Sequence, residues 1–113
     1  MKYLLLTVFA IALGSPAWAH SKLNTTVPEN GATLATAPER ISMTFGKKIR
    51  LVKVELTHQD EQSYPLDLGT QTRFATEFEL PISDVGAGQY HIEWRGLSAD
   101  GHAMSGQFLF TVE

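Results

Sequence analysis

Apolar residues in most of this chain recur every second position. Ile41, Met43 and Phe45 alternate with Arg40, Ser42 and Thr44, and Val52, Val54 and Leu56 with Lys53, Glu55 and Thr57. Phe74, Thr76, Phe78 and Leu80 alternate with Ala75, Glu77 and Glu79, and Tyr90, Ile92 and Trp94 with Gln89, His91, Glu93 and Arg95. Phe108, Phe110 and Val112 end the chain in the same way. A period of two puts one set of side chains on one face of a pleated strand, whereas an amphipathic helix requires a period of about 3.6. No stretch after the N-terminal segment has the helical period. Turn signals separate the runs: Pro28-Glu29-Asn30-Gly31, Ala37-Pro38, Gly46-Lys47-Lys48, the polar residues 58–62, and residues 81–88. A short strand over residues 64–68 is weakened by Pro65. Roughly six or seven short strands with such punctuation predict an all-β fold, an antiparallel Greek-key β-sandwich or barrel.

The N-terminal segment is of another kind. Lys2 precedes a nearly unbroken apolar run over residues 3–13, and Ala17-Trp18-Ala19 follows. One positive charge, an apolar core of about 11 residues and an Ala-x-Ala site describe a secretory signal peptide. A retained transmembrane helix would need about 20 apolar residues. The expected organisation is a signal peptide over 1–19 and one domain over 20–113, long enough to bury its own core. Removal of Lys2 takes the formal charge from −3 to −4. No basic cluster beyond Lys47-Lys48-Arg50 opposes that charge, which argues against a nucleic-acid partner. There is no cysteine, so thiolate metal sites and cysteine nucleophiles are excluded. The expected destination is the bacterial periplasm.

Between the last two strands lies Ser98-Ala99-Asp100-Gly101-His102-Ala103-Met104-Ser105-Gly106, a loop with turn dipeptides. Asp100 and His102 are two positions apart, which puts them on one face if the backbone is extended. Alone they describe an ordinary turn as well as half a metal site. Cleavage after Ala19 would make His20 the first residue and free two nitrogens, the α-amine and imidazole Nδ1, that close a six-membered chelate ring on a metal. With His102 and Asp100 the set becomes three nitrogens and one oxygen. A tetragonal N,O set suits Cu(II), and zinc competes in tetrahedral form. His58, in a charged turn, reads as a solvated surface residue, and His91 as an exposed outward strand position. Ser98 and Ser105 flank the loop, but a Ser/His/Asp triad needs an ordered geometry that neighbours in one loop seldom supply. No catalytic motif is present.

The chain resembles the CopC family of periplasmic copper-resistance proteins along essentially all of residues 20–113. The resemblance rests on His20 with Leu23, on residues 28–34 with Ala37-Pro38, and on residues 41–45. Its most specific part is Gly88-x-Tyr90-x-Ile92-x-Trp94-Arg95, then Ser98-Ala99-Asp100-Gly101-His102, then Gly106-x-Phe108-x-Phe110-x-Val112. It implies an immunoglobulin-like or cupredoxin-like β-fold with one Cu(II) per chain, held by His20, Asp100 and His102. It also implies a monomeric copper carrier or buffer in copper homeostasis, delivering copper to an inner-membrane CopD-type partner. Gly96 and Leu97 depart from the family's usual β-branched or apolar pair, and Gly46-Lys47-Lys48 from its usual Ser-Glu. The methionine-rich Cu(I) segment of some members is absent, since only Met43 and Met104 follow the leader. Two other readings fit parts of the chain: a copper-dependent polysaccharide monooxygenase with an N-terminal His, and a metal-free β-sandwich module.

Overall fold

A computed structural model describes residues 23–113, and the proposed leader and His20 lie outside the described residues. Seven strands follow in order: β1 (Leu23–Val27), β2 (Ala32–Leu34), β3 (Arg40–His58), β4 (Tyr64–Pro65), β5 (Ala75–Pro81), β6 (Gly88–Ser98) and β7 (Ala103–Val112). Among the described residues there is no helix. The strand order is β1-β3-β6-β7-β2, with β4 and β5 also paired to β3. All pairs are antiparallel except β2 with β7, which is parallel. That exception reflects the crossover of the chain from one edge of the sheet, β1, to the other. The crossover is pinned where it lands: Gly31 N–H donates to Leu109 O at 2.7 Å, and Asn30 Oδ1 accepts from Leu109 N–H at 3.0 Å.

Gly46-Lys47-Lys48, expected to break two strands apart, lies inside the single 19-residue β3. The backbone continues while its partners change. Arg40 to Thr44 pair with β5 and Ser42 to Phe45 with β1, whereas Ile49 to His58 pair with β6, Ile49 also standing opposite Ala75 at the start of β5. All three residues of the break are exposed because they lie where β3 passes from one half of the curled sheet to the other. The two halves close on a common core in which Phe45 meets Phe78 edge-on at 5.9 Å and Trp94 edge-on at 5.0 Å. Such pairs contribute about 0.5–1.5 kcal/mol each beyond the area they bury. Tyr90 stacks on Phe110 at 5.0 Å, and its hydroxyl donates to Gly86 O at 2.7 Å. Ile41, Met43, Val54, Leu56, Phe78, Leu80, Ile92, Phe108 and Val112 are buried as their alternation predicts.

Three inward assignments fail. Val52 is 54% exposed because the register of β3 on β6 slips between Leu51 and Lys53. That bulge moves the inward set to Ile49 and Leu51 before it and to Val54 and Leu56 after it. Phe74 is exposed because β5 begins one residue later, and Thr76 is exposed with it. His58 is the reverse case: expected at the surface, it is 5% exposed and ends β3 on the core side.

Candidate metal centre

β6 and β7 stay paired up to Leu97 and Ala103, so residues 98–102 are the turn between them. Ser98 N–H donates to His102 O at 2.9 Å, and Gly101 N–H donates to Ser98 O at 2.9 Å. Gly101 has φ +89°, in the region where a Cβ is strained, which is why this turn carries a glycine there. The Ser98 hydroxyl donates to Asp100 Oδ1 and accepts from His102 N–H at 3.1 Å. The same Asp100 oxygen lies 2.9 Å from His102 Nδ1. The Ser98 hydroxyl first, then the His102 ring and its backbone N–H, hold the Asp100 carboxyl at about 2 against an ordinary 3.8.

An ionised carboxylate at Nδ1 fixes the proton on that nitrogen and leaves the lone pair on Nε2. Nε2 has no hydrogen-bond partner among the described residues, and the His102 side chain is 80% exposed. Asp100 Oδ2 is likewise without a partner there. The turn therefore holds an imidazole nitrogen and a carboxylate oxygen side by side, both accessible from solvent. Ser98 organises both residues, a role its sequence position signals only as a Ser-x-Asp turn.

These two groups make half a site. Among the described residues no group of three His, Cys, Asp or Glu could hold a metal ion. The start of β1 lies at the same end of the sheet. Leu23, the first residue of β1, pairs with Phe45, and Ile49, four residues further along β3, pairs with Ser98. β1 therefore begins at the end of the sheet that carries the turn.

The other described histidines are elsewhere. His91 projects from the outer face of β6 and meets Gln107 Oε1 at 2.7 Å, as an outward position should. His58 packs edge-on against Tyr90 at 5.1 Å. Its Nε2 donates to Ala87 O at 2.8 Å, and its Nδ1 lies 3.5 Å from Glu61 Oε1.

A family model described as the CopC domain matches residues 23–113. Over 107 residues the chain is 27% identical to copper resistance protein C of Escherichia coli, covering 86% of this chain and 84% of that protein. The crystal structure of CopC from Methylosinus trichosporium OB3b superposes with a TM-score of 0.69 at 22% identity, over 83% of this chain and 94% of that one; this likeness is one of fold. PcoC, a methionine-rich copper resistance protein from Escherichia coli, superposes with a TM-score of 0.58 at 26% identity, over 84% of this chain and all of that one.

Proposed function

The chain belongs to the CopC family, and on that premise we propose that it is a periplasmic Cu(II)-binding protein, a monomeric carrier or buffer in copper homeostasis. In this reading residues 1–19 are a signal peptide and 20–113 the mature domain. The copper ligands are the α-amine and Nδ1 of His20, the imidazole of His102 and a carboxylate oxygen of Asp100, holding one Cu(II). The observation that carries the reading is the 2.9 Å contact between Asp100 Oδ1 and His102 Nδ1. Two donor atoms at that separation are spaced as neighbouring ligands of one metal ion, each about 2.0–2.2 Å from it. The arrival of β1 at the same end supports His20 as the second half. The relatives named for copper resistance support the metal, and the mixed N,O donor set favours Cu(II). PcoC is methionine-rich, whereas here Met43 is fully buried and Met104 stands alone beside the turn. A strong Cu(I) site is therefore not expected.

Transfer of the copper to a CopD-type membrane protein is the proposed fate of the ion. An oxidative enzyme acting on polysaccharide is disfavoured by the surface. Phe74, 44% exposed, is the one aromatic at the surface among the described residues, so no flat aromatic face surrounds the turn.

The test is a competition titration with Cu(II) on protein recovered from the periplasm, after intact mass has established whether it begins at His20. One equivalent should bind with a type 2 paramagnetic resonance signal. The same protein with one residue added before His20 should lose that signal. Equal affinity and an equal spectrum in both forms would end this reading.

A further inference from the structure

The bulge that exposes Val52 has a partner across the ladder. A Cβ on Gly96 would lie 2.8 Å from Arg50 O and 3.1 Å from Ile49 Cδ1. β3 approaches β6 so closely there only because position 96 has no side chain. Bulges re-aim side chains, and here Val52 and Lys53, adjacent in sequence, both face outward. Val52 joins Leu97, Ala103 and Met104 in lining a groove of about 500 Å³ whose remaining walls are Arg95, Gly96 and Ser105. Leu97 and Ala103 are the last ladder pair before the 98–102 turn, so the groove begins at the foot of the metal loop.

Its rim is basic. Arg95 lines it, and Arg50 and Lys53 stand directly opposite Leu97 and Arg95 on the neighbouring strand. Lys53 is paired with Glu55 at 3.4 Å, whereas Arg50 and Arg95 have no carboxylate partner among the described residues. A chain of net negative charge thus sets two unpaired arginines beside one apolar depression.

We propose that this groove is the docking site for an acidic partner protein that inserts an apolar side chain and exchanges the metal ion at His102; the exchange, though not the docking, rests on the copper reading. Complementary charge identifies the partner's chemistry and would steer it to the loop. The shape favours a protein over a lipid surface, since the apolar side chains line a recess and membrane insertion needs them to protrude. The size favours a transient encounter over a permanent dimer, because seven lining residues fall well short of the roughly 20–30 per side of a stable interface.

The test uses isotopically labelled, metal-free mature protein and a short synthetic peptide of Asp and Glu flanking a Leu-Phe pair. Amide shifts should move at Val52, Leu97, Ala103 and Met104, and the Lys/Arg counterpart of the peptide should move none of them. Arg95→Gln and Val52→Lys should each weaken the peptide at least about tenfold while leaving Cu(II) binding unchanged. Val52→Lys adds charge but removes the apolar wall, so tighter binding by that variant would reduce the site to unspecific electrostatics and overturn the proposal. Shifts confined to other surfaces, binding to phosphatidylglycerol vesicles in place of the peptide, or concentration-dependent shifts without any probe (a second copy as occupant) would also overturn it. Because the footprint is scored without metal, a failed copper titration would strike the copper reading and leave this one standing.

Discussion

Two ends of the β3–β6 ladder each carry a histidine beside a carboxylate, and they are built for opposite purposes. At one end Asp100 lies 2.9 Å from His102 Nδ1, and both side chains are more than two-thirds exposed. At the other, Glu61 lies 3.5 Å from His58 Nδ1, but the His58 side chain is 6% exposed and its Nε2 is committed to Ala87 O. The imidazole–carboxylate pair is common to both. What differs is the fate of the second nitrogen: solvent-facing at His102, engaged with backbone at His58. A metal ion needs a lone pair it can reach, so only the exposed pair has binding chemistry. The buried pair joins the β3–β4 turn to the segment before β6.

The largest expected effect that would sharpen this contrast is on copper affinity. Acetylating or extending the terminus at His20, or His102→Ala, should each weaken Cu(II) binding by roughly two orders of magnitude or more, about 3 kcal/mol. His58→Ala should leave affinity unchanged in the same competition titration. An equal loss from His58→Ala would break the comparison. Stability should respond the other way round. His58→Ala removes a buried ring, its hydrogen bond to Ala87 O and its edge contact with Tyr90, and should cost about 2–3 kcal/mol in urea unfolding. His102→Ala should stay within about 0.5 kcal/mol of the parent, as exposed positions do.

A smaller effect separates the oxygen donor from the nitrogen donors. Asp100→Asn keeps the shape of the side chain but not its charge, and should weaken Cu(II) about tenfold, less than the loss of a nitrogen donor because the carboxylate is the weaker Cu(II) ligand. Acidification tests the same division. The Asp100 carboxyl is depressed to about 2, so its contribution to the turn is present above its ordinary 3.8 and is lost only as pH falls through about 2. Copper, held by nitrogen donors that must be deprotonated, should be gone by about pH 4. Resonances of residues 98–102 in the metal-free protein should therefore persist below the pH at which the copper spectrum vanishes. If turn and spectrum collapse together, Asp100 and the nitrogens do not act separately. The smallest effect belongs to His91→Ala, which should change neither affinity nor stability beyond about 0.5 kcal/mol, since its contact with Gln107 is on the exposed face.

Much of this molecule was legible in its residue order. Period two from Arg40 onward determined an all-β fold and most of its core, because a strand's side-chain period is a local property of the backbone. The Asp100-Gly101-His102 turn was legible too, since a glycine with positive φ and a Ser-x-Asp spacing act within five residues. The tertiary structure decided what depends on partners distant in sequence. Val52 lost its inward place to a bulge made possible by Gly96 on another strand. Gly46-Lys47-Lys48 became a passage between two halves of one sheet because β1 and most of β5 hold one side of it and β6 the other. His58 looked solvated among charged neighbours until Tyr90 and Ala87, about thirty residues away, closed over it. Local periodicity carries no information on which strand will lie alongside, and burial is set by that strand.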